Sequence, residues 1–197
     1  SGPRLRIACA IMLEELGIHE DDNGNCRVTP AFALPSKYVL HTVGPNLSQR
    51  HGPARPPTSR DVEELRRCYI SCLDAADALP DVQSVAFCCI STGIFGFPQQ
   101  PAAEIAVAAC EAWSAARSEF PTKKTCVQQI VFNVFKDEDL NIYTSLFSNS
   151  GSVDAMDQSD GGDEQQQHAQ KKSDCSFIYL MQIEDWIIIR SHDMFVL

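Results

Sequence analysis

Positive charge is scarce in this chain. Its 197 residues carry 16 Lys and Arg against 26 Asp and Glu, a formal net charge of −10. No basic run and no basic helix face occurs, which argues against a general binder of nucleic acid or of anionic membranes. Long apolar runs are lacking too. The longest apolar patch, Phe177 to Ile189, is broken by Gln182, Glu184 and Asp185 and is too short and too charged to span a membrane. The opening Ser1-Gly-Pro-Arg-Leu-Arg carries no signal-type apolar stretch. The nine cysteines are odd in number and include no Cys-x-x-Cys pair, so reduced, intracellular thiols (cytoplasmic or nuclear) are expected rather than a disulfide framework. A Walker loop and a Gly-x-Gly-x-x-Gly fingerprint are both absent.

What is present suits one domain with a real core and some excess, at 44% apolar and 21% charged residues. Leu5, Ala8, Cys9, Met12 and Leu16 form one helical stripe over Pro3 to Leu16. Val28 to Ala33 reads as extended, and Lys37 to Val43 as a strand closed by Gly44-Pro45. A loop rich in proline and arginine runs to about Pro57, and Thr58-Ser-Arg-Asp61 then makes a capping box. Behind it, Val62, Leu65, Tyr69, Cys72, Ala76 and Leu79 recur at helical spacing. Ser84 to Ile90 is apolar on both faces, as a central parallel strand should be. A helix from Pro101, a strand over Val127 to Val134 and a helix over Glu138 to Phe147 follow. Strand, helix, strand, helix, strand is a pair of βαβ units with parallel strands. Their carboxyl ends gather Gly44-Pro45, Ser91 to Phe97 and Asn133 to Lys136 on one sheet edge, where open α/β folds bind ligands.

The most informative stretch is Phe87-Cys-Cys-Ile-Ser-Thr-Gly-Ile-Phe-Gly-Phe-Pro98. Glycines after a buried strand let backbone approach a ligand, and successive free N–H groups can wrap an anion without a basic side chain. The competing reading is an ordinary tight turn after a buried strand.

Four stretches, in order, resemble a macrodomain, the α/β/α module that binds ADP-ribose. They are Ser1-Gly-Pro-Arg-Leu-Arg-Ile-Ala-Cys9, Val28-Thr-Pro30 with Leu34-Pro-Ser-Lys-Tyr-Val-Leu-His-Thr-Val-Gly-Pro45, Ile90 to Pro98, and Val131-Phe-Asn-Val-Phe-Lys-Asp-Glu-Asp139. They span roughly residues 1–147, and their wording is closest to the zinc-containing protein-ADP-ribose hydrolase branch. The resemblance implies a three-layer α/β/α fold with a mostly parallel central sheet. It makes Ser91, Thr92, Gly93, Ile94, Phe95 and Gly96 a diphosphate cradle, with Asn133 at the adenosine end and Phe135 against adenine. The family's first strands and its catalytic or zinc-ligating loop would precede Ser1. On this reading the first strands are missing, no catalytic residue and no metal ligand can be assigned, and zinc belongs only to complete members of that branch. Ala31 also stands where the family usually has glycine.

The expected organisation is an incomplete macrodomain over 1–149, a disordered low-complexity linker over 150–174, and a tail over 175–197. That tail is apolar without a clean period, an added helix or a poorly folding extension. The expected partner is ADP-ribose or a mono-ADP-ribosylated protein. The open alternatives are a hydrolase whose activity needs a longer chain, a reader without turnover, and a degenerate fragment. Of the remaining residues, His41 reads as packed and hydrogen-bonded, and Cys88, Cys89 and Phe132 as core. Trp113 reads as packing, Cys68 and Cys72 as a shared helix face, and Arg50, Arg55 and Arg60 as a solvated loop.

Overall fold

One six-stranded sheet organises the molecule, and its strand order is not the order of the chain. The computed structural model describes residues 2–52, 55–118, 126–150, 177–182 and 194–196. Helix α1 (Gly2–Glu15) leads to β1 (Cys26–Pro30), which pairs antiparallel with β2 (Tyr38–Thr42). A short helix α2 (Leu47–His51) and the long α3 (Ser59–Asp77) precede β3 (Ser84–Phe87). Helix α4 (Gln99–Ser118), β4 (Gln129–Val134) and α5 (Asp137–Ser150) follow. The last strands are β5 (Phe177–Gln182) and β6 (Met194–Val196), and the sheet runs β1-β2-β6-β3-β4-β5. All pairings except β1 with β2 are parallel.

Helices lie on both faces, giving three layers. Register puts Leu40, Val85, Phe87, Ile130 and Phe132 on the face that meets α3, α4 and α5. Tyr69 of α3 and Tyr143 of α5 each bring a ring within 5.0 Å of a strand phenylalanine, Phe87 and Phe132 respectively. These offset rings contribute beyond their buried area. On the opposite face, α1 places Leu5 over Ala31 and Val39.

Helix α3 begins where its sequence says it should. Thr58 accepts from the Asp61 N–H, and the Asp61 carboxylate accepts in return from the Thr58 N–H at 2.8 Å. Its inner stripe, Leu65, Cys68, Tyr69, Cys72, Leu73 and Ala76, is fully buried. Each such leucine contributes roughly 2 kcal/mol by leaving water.

Four expectations change. The proline- and arginine-rich loop contains α2, whose Asn46 cap accepts from the Gln49 N–H. Arg50 and Arg60 are not solvated bystanders. Arg50 spans buried Asp61 and Glu64 at 2.7 Å each, and Arg60 meets Glu64 at 2.8 Å; Arg55 alone of the three has no ion pair among the described residues. Cys88 is exposed and Cys89 half-buried, because β3 ends at Phe87 and the chain is already turning outward. Within the C-terminal apolar segment the described residues 177–182 and 194–196 are strands: β6 lies between β2 and β3, and β5 flanks β4. The linker expected over 150–174 lies, apart from Ser150 at the end of α5, outside the described residues.

Candidate functional site

The loop after β3 is built by its own backbone. Ser91 has φ +65° and Gly96 φ +69°, both in the left-handed region. The Phe97 N–H closes on the Ser91 carbonyl at 3.0 Å, and the Gly96 N–H on the Gly93 carbonyl at 3.0 Å. The Thr92 hydroxyl donates to the Cys89 carbonyl at 3.0 Å. Phe97 and Ile90, both buried, anchor the two ends in the core. Helix α2 braces the outside, since Leu47 and Ser48 both donate to the Phe95 carbonyl, at 2.9 and 3.1 Å. This approach is so close that a Cβ on Gly96 would collide with Ser48 Oγ, and one on Gly44 with Ser91 Oγ.

The bracing leaves three consecutive donors free. The N–H groups of Gly93, Ile94 and Phe95 have no acceptor among the described residues. A Cβ added at Gly93 would meet nothing within 4 Å, so the space above is open. Successive free N–H groups make an anion-binding concavity, and the α4 N-terminus, two residues past Phe97, adds its positive dipole end. The Ser91 hydroxyl is buried and has no hydrogen-bond partner. A strained backbone with an orphan hydroxyl is the pattern of a site that completes itself on a ligand.

Apolar side chains flank the donors. Ile94 is 93% exposed and Phe135, just past the end of β4, is 82% exposed, the highest among large apolar side chains of the described residues. Asn133 is half-buried on β4, while Phe132 is core, as read. The structure therefore brings the loop residues Ser91 to Gly96 together at the carboxyl edge of the sheet, with Asn133 and Phe135 at the end of the neighbouring strand. Two clefts border the loop. One of about 500 Å³ runs between α2 and the loop, lined by Leu47, Ser48, Arg55, Gly96 and Pro98. The other, about 730 Å³, opens between the starts of α4 and α5 and is lined by Pro98, Gln99, Glu138, Asn141 and Ile142. Both are shallow and open to solvent.

Asp139, buried in the first turn of α5, was not singled out by sequence. Burial pushes its carboxyl above the ordinary aspartate value, partly offset by the nearby Gln99 amide and the Lys136 charge. Ser48 was missed as well, because nothing local marks a five-residue helix as the brace of a loop far along the chain. His41 is hydrogen-bonded, with Nε2 2.8 Å from Thr29 Oγ1. Trp113 is packed and donates to Asp74 at 2.9 Å. Among the described residues no three His, Cys, Asp or Glu side chains converge as a metal centre would require. Cys68 instead turns its thiol to the Val43 and Glu64 carbonyls.

A three-layer α/β/α module with a glycine-containing loop of free N–H groups at the carboxyl edge of its sheet is an open α/β domain of the class that takes ligands at that edge. A family model described as "Macro domain" matches residues 1–106, and the chain belongs to that family. It is 48% identical over 148 residues to a "Protein-ADP-ribose hydrolase" of Treponema medium, covering 75% of this chain and 51% of that protein. Among solved structures, a mutant Oceanobacillus iheyensis macrodomain with ADPR matches at TM-score 0.62 and 29% identity, over 76% of this chain and 72% of the other. A Trypanosoma brucei macrodomain in complex with ADP-ribose matches at TM-score 0.52 and 29% identity, over 70% and 51%. The chain spans about half the length of the curated relatives it matches.

Proposed function

We propose that this chain binds ADP-ribose, free or attached to a protein, through the loop Ser91 to Gly96. The observation that carries the reading is the row of three unclaimed N–H donors on Gly93, Ile94 and Phe95 beneath open space. They would take the diphosphate, which suits a chain of net charge −10 because backbone donors attract phosphate without a basic surface. Phe135 would cover the adenine face, with Asn133 bonding the adenosine end. Ile94 would shield the diphosphate from water. Ser91 would gain the partner that its buried hydroxyl lacks. The structures with ADPR and ADP-ribose among the matches support this assignment.

Removal of ADP-ribose from protein is a second reading, favoured by the names of the relatives. Cleavage of that glycosidic bond needs a positioned water activated by a carboxylate or a metal. The loop residues supply the clamp and no base. On this account the 197-residue chain retains a mono-ADP-ribosylated protein and does not release ADP-ribose from it. The test is incubation with a radiolabelled mono-ADP-ribosylated protein. Retention with the label still on protein is expected. Label released as free ADP-ribose, above a no-protein control, would move the assignment to hydrolase, and no retention would remove the binding reading.

A further inference from the structure

Away from the loop, on the face of the sheet that α1 covers, three chemically matched side chains meet. Cys9 of α1 lies with Sγ 3.7 Å from Nε2 and 3.9 Å from Nδ1 of His41 on β2. His41 Nε2 is in turn 2.8 Å from Thr29 Oγ1 on β1. Thr29 is buried, and the strand register sets it two pairs from His41 and on the same face: Arg27 stands opposite His41 and Thr29 opposite Val39. A nucleophile, a base and a group orienting the base form the arrangement that activates a thiol.

We propose that Cys9 is a site of thiol–disulfide exchange with low-molecular-weight disulfides, with His41 as the proton acceptor and Thr29 as the residue that orients it. Thr29 Oγ1 accepts a hydrogen bond from Nε2–H, which leaves Nδ1, 3.9 Å from the sulfur, as the unprotonated ring nitrogen. The Cys9 S–H proton passes to Nδ1, and the thiolate attacks one sulfur of the disulfide. The S–S bond breaks, a mixed disulfide forms on Cys9, and the departing thiolate recovers the proton from the imidazolium. Electrons and protons balance without a further reagent.

The other cysteines supply the contrast. Among the described residues, no other cysteine has a histidine within hydrogen-bond reach. Burial pushes the Cys68, Cys89 and Cys110 thiols up, Cys89 to about 12, and the Cys26 thiol together with burial does the same to Cys72. Burial lowers His41, so its imidazole is neutral and able to accept a proton near neutral pH. Cys9 is half-buried on a helix whose neighbouring positions Arg6 and Ala10 are exposed, so a small disulfide can approach.

The test treats the full chain with a sub-stoichiometric amount of 4,4′-dithiodipyridine and follows each cysteine by peptide mass spectrometry. Cys9 is expected to react about tenfold faster than Cys26 and Cys126, which are equally half-buried but have no adjacent base. His41→Gln keeps a hydrogen-bonding group for Thr29 but accepts no proton in this range, and should slow Cys9 about tenfold while leaving the rates of Cys26 and Cys126 unchanged. Equal rates for Cys9, Cys26 and Cys126 in the unaltered chain would overturn the proposal without any need for the variant. An unchanged Cys9 rate in a folded His41→Gln chain would overturn it as well.

Discussion

At the residue scale, the loop and its flank make two separable demands. Phe135 is largely exposed, so Phe135→Ala removes a stacking face and little packing. Its melting temperature should stay put, while ADP-ribose affinity falls roughly tenfold, as for other lost base–aromatic stacks. Ser91 should behave differently. Its left-handed backbone and unpartnered buried hydroxyl both cost stability, so Ser91→Gly should unfold within about 1 kcal/mol of the parent, or later. Its affinity for ADP-ribose should nonetheless drop. Urea unfolding and titration on the same sample check both halves, and a parallel loss of stability and binding would mean that Ser91 is structural. The loop was legible in the sequence as a glycine-bearing turn after a buried strand, and its reading as a diphosphate cradle came from the family resemblance. The contact of Cys9 with His41 was not legible, since it joins residues 32 positions apart across a helix–sheet interface.

At the scale of elements, the joint between α2 and α3 carries the electrostatics. Asp61 and Glu64 are buried beside Arg50, and Asn23 and Arg60 add further donors to Glu64. Burial alone would raise the Glu64 carboxyl, but the bonds from Asn23, Arg60 and Arg50 outweigh it and hold the group below the ordinary glutamate value of 4.5. A carboxylate depressed in the folded state stabilises the fold above its unfolded value and loses that contribution as pH falls. Stability to urea should therefore decline as pH drops below about 4.5, and less steeply in Glu64→Gln. Asp139 has the opposite sign: burial raises it, so its charge opposes folding at neutral pH and Asp139→Asn should melt later than the parent. Arg50→Ala leaves two carboxylates without their main cation and should cost about 3 kcal/mol by chemical denaturation. It should also loosen the loop, because α2 holds the Phe95 carbonyl. Helix α3 could be read from sequence because its capping box and its three-and-four spacing agree. Helix α2 could not, since five residues between prolines and arginines hold no period.

For the whole molecule, the sheet depends on its last residues. Strands β2 and β3 do not pair with each other; Met194–Val196 joins them, in parallel register with both. Without β6 the sheet would separate into β1-β2 and β3-β4-β5, each with an unsatisfied edge under a common layer of helices. Phe195→Pro removes a donor from this central strand and should abolish the single cooperative unfolding transition, seen by circular dichroism in urea. Retention of a parent-like transition would show that the two halves hold together through α3 and α4 alone. This dependence was invisible to pattern reading, because a strand of three residues carries no measurable alternation. The βαβ order and the edge on which the loop sits were legible, since long helices alternate with short apolar strands from Tyr38 to Val134.

These scales meet in one claim, that backbone N–H groups of a short loop make an acidic chain an ADP-ribose binder. Isothermal titration of ADP-ribose into the full chain tests it most directly, with Phe135→Ala beside it. The account predicts saturable one-to-one binding by the parent and a roughly tenfold weaker isotherm for the variant. A folded parent that gives no heat of binding at several temperatures would contradict it.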